Sequence, residues 1–337
     1  MQTDRLCPYP DIYFEPAYAR LYETADSKAE EFRFSCEHGE ITNLFLRREI
    51  PIDAGDGETY YDIITPYGYG GPVIHGDPTG EEREKLIAAY MEAFGKYTAE
   101  NRIVAEFVRF HPMIGNGVDF RQAYRSQLDR KTVGTTLTYE DVIATEFSKH
   151  RRKDIRRILK NPEIRYEIDE DPSTLDDFVE IYYSTMDRDN AADYYYFGQD
   201  YFRNMLAAFP GHITTAKVFL GDRTIAMGVY FRYGKYLHAH LSGTLSEYLE
   251  YSPAYILKYA MALYGHEKGY EVIHYGGGSS RSPDNSLYRF KKEFGKNTEF
   301  DFYIAKKVWN EEAYQRICEA AGADMKSDFF PAYRAGR

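Results

Sequence analysis

Apolar and polar positions alternate most clearly in the second half of the chain. "HITTAKVFLGDRTIAMGVYFRYGKYLHAHLSGT", residues 212–244, predicts three strands with turns at Gly221-Asp222 and Gly234-Lys235. "SPAYILKYAMALYGHEKG", residues 252–269, predicts a helix, with Ser252 as N-cap, Pro253 at the first helical position and Gly269 at the close. "YEVIHY" then reads as a short strand, "DNSLYRFKKEFG" (284–295) as a short helix and "TEFDFYIAKKV" as a strand, and a last helix begins near Glu311. The first half runs in a similar order. Strands "EFRFSC" and "ITNLFLRREI" flank an "EHGE" turn, and "TYYDIIT" is a third strand. Glu81–Tyr97 is an amphipathic helix with Leu86, Tyr90 and Phe94 on one face, followed by strand "RIVAEFVRF". A basic helical segment, "FSKHRRKDIRRILKN" (147–161), separates the halves. The pattern predicts an α/β protein with mixed sheets, built from two copies of one unit. The expected domains are 1–137, 138–310 (beginning with the basic segment) and a C-terminal helix and tail over 311–337.

With 337 residues, 43% of them apolar, two domains with substantial cores are within reach. A net charge of −11 argues against a non-specific nucleic-acid or anionic-membrane binder, so no DNA partner is expected. Cys7, Cys36 and Cys318 show no paired spacing, which indicates neither a zinc site nor a disulfide framework and fits a reducing compartment. "MQTDRLCPYPDIYF" has no basic run followed by an apolar core, and no apolar run approaches the roughly 18 residues of a membrane span. A cytoplasmic protein without a transmembrane segment is the expectation. The 33 tyrosines suit half-buried sheet, or a pocket that combines stacking with hydroxyl hydrogen bonds.

Several segments could carry chemistry. In "SLYRFKKEF" (286–294), Leu287, Phe290 and Phe294 share a helical stripe, and Lys291 falls on its edge while Arg289 and Lys292 point elsewhere. Such a lysine either snorkels or sits as a cation in a partly dry pocket, where it would stabilise a developing oxyanion. "HYGGGSSRSPDNS" (274–286) runs a strand into three glycines around Gly277, which lets backbone approach a ligand; it lacks the dinucleotide-binding pattern. His238 and His240 alternate onto one strand face, but no third and fourth metal ligand can be placed, so they read as pocket-lining or packing groups. The basic segment carries Lys149, Arg151, Arg152, Lys153, Arg156, Arg157 and Lys160. It is a solvated face or, through residues such as Arg152, a grip on substrate phosphates. "YYSTMDRDNAADYYYFGQDYF" (182–202), with Arg188 and Tyr201, reads as a substrate-lining loop. "YYDIITPYGYGGP" (60–72) leaves its strand through a loop stiffened by prolines and kept low by glycines.

Taken in order, "TPYGYGGP", "STMDR", "HLSGT", "GGG" and "SLYRFKKEF" resemble the Fem-type (FemABX) peptidoglycan cross-bridge transferases and the wider FemAB-like proteins of the GNAT acyltransferase superfamily, over roughly residues 12–320. The resemblance implies two tandem GNAT-like domains with the site in the cleft between them, and transfer of an acyl or aminoacyl group onto an amine. It implies that Lys291 and the Phe290 amide stabilise the tetrahedral intermediate. It also gives Arg20, in "AYARLY", a substrate phosphate, Tyr201 a substrate contact, and Tyr67 and Tyr69 a place against the acceptor. The chain departs from the family where His240 replaces a strand tyrosine and where Phe197 stands near a missing arginine. No segment matches the Arg/Gln-x-x-Gly-x-Gly/Ala pyrophosphate loop of ordinary GNAT enzymes. That leaves aminoacyl-tRNA or acyl-CoA as donor co-substrate, with no bound cofactor, and a cell-envelope precursor or small molecule as acceptor. His240, Asp62 or a tyrosine would take the amine proton. The competing functions are a non-catalytic glycan- or peptide-binding module and an acetyl-CoA-dependent sugar-amine acetyltransferase.

Overall fold

The computed structural model describes residues 7–336. Residues 1–6, which enter the signal-peptide expectation, lie outside the described residues. The chain divides into two compact units that do not follow chain order. The flanking unit comprises Tyr13–Asp129 together with the chain from Asp301 onward, and the central unit comprises Arg130–Phe300 together with the described residues before Tyr13. The division at Arg130 falls just before the expected boundary at 137, and residues 301–310 are grouped with the flanking unit.

The flanking unit contains strands β1 (Ser27–Cys36), β2 (Gly39–Glu49), β3 (Tyr61–Ile64), β4 (Val73–His75) and β5 (Ile103–Arg109), and helices α1 (Pro16–Arg20), α2 (Gly80–Glu100), α3 (Asn116–Asp119) and α4 (Arg121–Tyr124). The central unit contains β6 (Gln127–Thr136), α5 (Val142–Glu146), α6 (Lys149–Ile158), β7 (Ile164–Asp169), α7 (Asp176–Arg188), α8 (Gln199–Ala208), β8 (Ile213–Leu220), β9 (Arg223–Tyr233), β10 (Tyr236–Thr244), α9 (Pro253–Glu267), β11 (Val272–Gly276) and α10 (Ser286–Lys292). The chain then returns to the flanking unit with β12 (Glu299–Val308) and α11 (Glu311–Ala321).

The two sheets have the same plan. In the flanking unit the order is β1-β2-β3-β5-β12, with β4 paired to β2. In the central unit it is β7-β8-β9-β10-β11-β6. Each contains one parallel pair, β3 with β5 and β10 with β11, in an otherwise antiparallel sheet. A long helix makes each parallel crossover, since parallel neighbours cannot be joined by a tight turn. α2 buries Leu86, Tyr90 and Phe94 against Ile41, Phe45, Ile63 and Ile103. α9 buries Ile256, Leu257, Ala260, Met261 and Ala262. The closing strand of each sheet comes from the segment that follows the other unit's parallel pair: β12 follows β11 and pairs with β5, while β6 follows β5 and pairs with β11. The mixed α/β class read from the sequence is the observed one.

Three local expectations are corrected. Ser252 is in the left-handed region (φ 48°) and its side chain caps nothing; the chain enters α9 from a 3-10 turn at Ser246–Tyr251. Residues 182–202 are mostly helical. α7 runs to Arg188 and α8 starts at Gln199, and the stretch between them holds a 3-10 turn at Asp193–Tyr195. Tyrosine hydroxyls hold that stretch: Tyr182 donates to the Tyr195 carbonyl (2.7 Å) and Tyr183 to the Phe197 carbonyl (3.0 Å). Asp62 is fully buried and accepts from Arg48 (2.7 Å), Arg334 (2.5 Å) and the Tyr333 hydroxyl (3.1 Å). A carboxylate buried and held by two guanidinium groups is a structural anchor. Cys7, Cys36 and Cys318 are all free thiols. No helix among the described residues is long and apolar enough to cross a membrane.

Candidate functional site

The parallel pair of the central unit does not stay paired. The register of β10 with β11 ends at His238–His274. Just beyond, both strands are irregular: β10 has a bulge between Ala239 and Leu241, and β11 has one between His274 and Gly276. Bulges re-aim side chains and end pairing. The carboxyl ends of β10 and β11 therefore part, and crevices outside the carboxyl ends of parallel strands are where α/β folds hold ligands.

On the β11 side the chain enters the glycine turn. Gly276 has φ 76°, a conformation that suits glycine. A Cβ at Gly278 would lie 2.4 Å from Asn285 Oδ1, so that position has no room for a side chain. Asn285 caps α10 by accepting from the Tyr288 amide (3.1 Å), and its Nδ2 donates to Ser279 Oγ (2.8 Å). Turn and helix are thus one stitched unit. Lys291 reaches back from the last turn of α10 and donates to the Gly277 carbonyl at 2.6 Å. Burial pushes its ammonium down to about 8. Lys292 points elsewhere, as expected, and pairs with Glu299 (3.2 Å). Phe290 packs on Tyr255 and Phe294. It is the fifth residue of α10, beyond the amides a helix leaves unpaired, so its ring rather than its amide is what it offers. Leu287 is not part of the buried stripe; it is 41% exposed.

On the β10 side, His240 is the bulged residue, which breaks the simple alternation that would put it on the face of His238. His238 Nε2 lies 2.8 Å from Asp11 Oδ2. His240 Nε2 lies 2.7 Å from the Tyr201 hydroxyl, and Phe197 stacks on Tyr201 at 4.4 Å. Burial first, and His238 second, push His240 down to about 3. It is neutral near pH 7 and too weak a base to deprotonate an amine. "STMDR" and "HLSGT" meet here. Thr185 Oγ1 accepts from the Thr244 amide (2.8 Å), and Arg188 donates to the Thr244 carbonyl (3.1 Å). A Cβ at Gly243 would lie 2.4 Å from the Ile181 carbonyl oxygen, which is why a glycine stands there. Arg188 is committed to this joint.

The basic helix divides its charges. Arg151 pairs with Asp154 (2.8 Å) and Glu293 (3.4 Å) and lies over the Tyr255 ring, whereas Arg152 is half-buried and Arg156 and Arg157 are exposed. Sequence reading missed a second basic cluster. Arg130, Lys131 and Arg281 line a small pocket with Gly278 and Tyr288 beside the glycine turn, and Arg130 donates to the Gly278 carbonyl at 2.8 Å. It missed Lys258 as well. This residue is only 8% exposed on α9, with its ammonium 4.1 Å from the centre of the Tyr275 ring. The available signal was its position inside the apolar run "AYILKYAMALY", because a helix apolar all round is buried.

In the flanking unit, Arg20 ends α1 and is exposed. Tyr67 stacks on Tyr22, and Tyr69 packs edge-on to Tyr13 and Phe302. The loop that carries them is pinned: Arg109 Nη2 donates to the carbonyls of Thr65 (2.8 Å) and Pro66 (2.6 Å), and Asn116 Nδ2 to those of Gly70 and Pro72 (both 2.9 Å).

Residues 146–292 match the acetyltransferase (GNAT) domain family, a span that contains β10, β11, the glycine turn and α10. Among solved structures, FemX is similar at a TM-score of 0.67 and 13% identity, over 92% of this chain and 95% of that one. The C-terminal domain of a putative lysylphosphatidylglycerol synthetase from Agrobacterium fabrum is similar at 0.55 and 14%, over 90% and 89%. L-PGS from Bacillus licheniformis is similar at 0.54 and 13%, over 86% and 88%. No curated protein matches. Residues 146–292 thus carry a GNAT-type acyltransferase domain. The fold of the chain is similar to that of FemX.

Proposed function

We infer that the chain is an N-acyltransferase that moves an acyl or aminoacyl group from an activated donor, aminoacyl-tRNA or acyl-CoA, to the amine of a cell-envelope or small-molecule acceptor. The observation that carries this reading is the Lys291 ammonium, held 2.6 Å from the Gly277 carbonyl where β10 and β11 part. A cation that is poised on a backbone carbonyl in a partly dry site is pre-organised for an oxyanion and needs little rearrangement to meet it. Attack of the amine on the acyl carbon forms that oxyanion, and its collapse expels the donor's alcohol or thiol. Phe290, next to Lys291 in the chain, packs on Tyr255 and adds apolar surface to this end of α10. Arg130, Lys131 and Arg281 suit the phosphates of either donor. Arg152, Tyr201, His240 and, from the flanking unit, Arg20, Tyr67 and Tyr69 are assigned to substrate binding. The names of the similar proteins, FemX and lysylphosphatidylglycerol synthetase, support an aminoacyl donor and an envelope acceptor.

The test is a donor screen, charged tRNA and acyl-CoA against amine acceptors, with products detected by mass spectrometry. Lys291→Ala should lower turnover roughly 10²–10³-fold with the active donor. Activity within a few-fold of wild type would remove Lys291 from the mechanism.

A further inference from the structure

Two of the proton acceptors expected from the sequence do not suit the task. Asp62 is locked between two arginines, and His240 is too weak a base. Lys258 lies on the Tyr275 ring and Lys291 on the Gly277 carbonyl, two residues further along the chain, and their surroundings differ. Lys291 has a carbonyl at 2.6 Å, an acceptor that favours the ammonium. Lys258 has an aromatic face and, among the described residues, no hydrogen bond or ion pair to a carbonyl or carboxylate. The Tyr275 hydroxyl lies 2.8 Å from Thr135 Oγ1, which in turn donates to the Phe294 carbonyl (2.7 Å), so the ring beneath Lys258 is fixed.

Resting on the acyltransferase reading, we propose that Lys258 is the general base of the reaction, working opposite Lys291 as the fixed cation. Two ammonium groups in one poorly solvated place repel, so one gives up its proton, and the one without a polar partner does so first. The titratable and charged groups around it agree with this assignment. Lys291 on α10 acts on Lys258 directly, and burial comes first among the causes that push Lys258 down to about 7. Tyr275 on β11 is itself pushed up, and Tyr230 on β9 lies near that ring. Glu146 on α5 is engaged by the Asn297 amide (3.0 Å) and Thr298 Oγ1 (2.5 Å). Arg151 on α6 is engaged by Asp154 and Glu293, and Tyr166 on β7 packs against Tyr259 of α9. None of these carboxylates pairs with Lys258.

The step balances without another reactant. The acceptor nitrogen bonds to the acyl carbon, and the carbonyl electron pair moves onto oxygen beside Lys291. The neutral Lys258 amine takes the N–H proton. The tetrahedral intermediate then collapses, the bond from carbon to the donor's oxygen or sulfur breaks, and Lys258 returns the proton to that leaving atom. The repulsion of Lys291 makes the protonated Lys258 a good donor for this last transfer.

Two measurements test the assignment. The first needs no turnover: in protein carrying ¹³Cε-labelled lysine, the Lys258 signal, identified by its loss in Lys258→Met, is followed against pH. A midpoint near 7 that rises in Lys291→Met is expected, and a midpoint in the ordinary lysine range above about 10 overturns the proposal whatever the activity. The second is the rate of acyl transfer. Lys258→Met and Lys258→Arg should both lose roughly 10²–10⁴-fold in kcat, since arginine keeps the charge but cannot accept a proton, and wild-type kcat should rise with pH through the Lys258 midpoint. Full turnover by Lys258→Arg would make the residue an electrostatic partner only and overturn the base role, leaving the acyltransferase reading intact. A wild-type protein inert to every donor, with Lys258 still titrating near 7, would remove that reading and the base role with it. Lys258→Met replaces a buried ammonium by an apolar side chain of similar length, so it should fold, and its melting curve checks that.

Discussion

Past the ends of their parallel strands, the two sheets behave differently. In the flanking unit the chain leaves β3 at Thr65, turns through the tyrosines and comes back. Thr65 donates to the Phe107 carbonyl (3.2 Å) and Gly70 to the Arg109 carbonyl (2.8 Å), so the loop continues the pairing with β5. Gly71 (φ 83°) comes so close that a Cβ there would lie 2.6 Å from Val108. In the central unit the ladder stops at His238–His274, and lysines rather than a backbone strap occupy the neighbourhood of the gap. The crossover helices differ in the same sense: α2 presents Leu86, Tyr90 and Phe94, whereas α9 presents Lys258 among its apolar residues. Among the described residues, the flanking unit also buries a carboxyl without a cation bonded to it. Glu106, 2% exposed, is solvated by neutral donors, Asn43 (3.1 Å), Trp309 (3.0 Å) and Tyr124 (3.5 Å), and burial raises it to about 7. One sheet is strapped past the end of its parallel pair; the other is left open at the same topological position, and the bond-making chemistry is expected there.

The contrast can be broken in several ways. The largest effect is the loss of turnover in Lys291→Ala, which should come with little loss of stability. Asp62→Ala should do the reverse. It strands Arg48 and Arg334 and should cost about 3–5 kcal/mol in denaturant unfolding, with kcat per folded molecule unchanged; a fall in kcat would put the flanking unit's anchor back into the chemistry. Glu106→Gln comes next. A carboxyl whose folded value lies above its unfolded one loses stability as pH rises from about 4.5, and the loss levels off above about 7. The glutamine variant should therefore gain on wild type across that window, by on the order of 2–3 kcal/mol, in urea titrations at pH 4 and pH 8. No change in the difference between those pH values would mean that the fold does not raise the Glu106 carboxyl. The smallest effect is expected from replacing Tyr67 and Tyr69 by phenylalanine. KM should rise by up to roughly tenfold and kcat should hold. An unchanged KM would reduce the loop to a strap that closes its own sheet.

Legibility followed the physics of each segment. Strands β8–β10, α2, α9 and α10 announced themselves because one apolar face and clear turn residues coincide. Tyrosine misled the reading of 182–202, where rings bury like core residues while hydroxyls cap loop carbonyls, so the composition looked like a loop and folded as two helices. Lys291 stood out because a short amphipathic helix makes a misplaced cation visible. Lys258 did not, because an all-apolar helix has no polar face against which to notice it. The Arg130–Lys131–Arg281 cluster draws on positions about 150 residues apart and exists only once the glycine turn has been placed against β6.

The exchange of closing strands also sets a timetable. During synthesis, β5 is complete at Arg109 but its partner β12 begins only at Glu299, roughly 190 residues later. At about 5–20 residues per second, the flanking sheet waits on the order of ten to forty seconds with one edge bare, and a bare edge is a template for wrong pairing. A ribosome-stalled chain ending near residue 280 should thus be cleaved by protease within the β5 segment, and the released full-length chain should resist. Equal resistance would mean that the first-made sheet does not wait for its last strand.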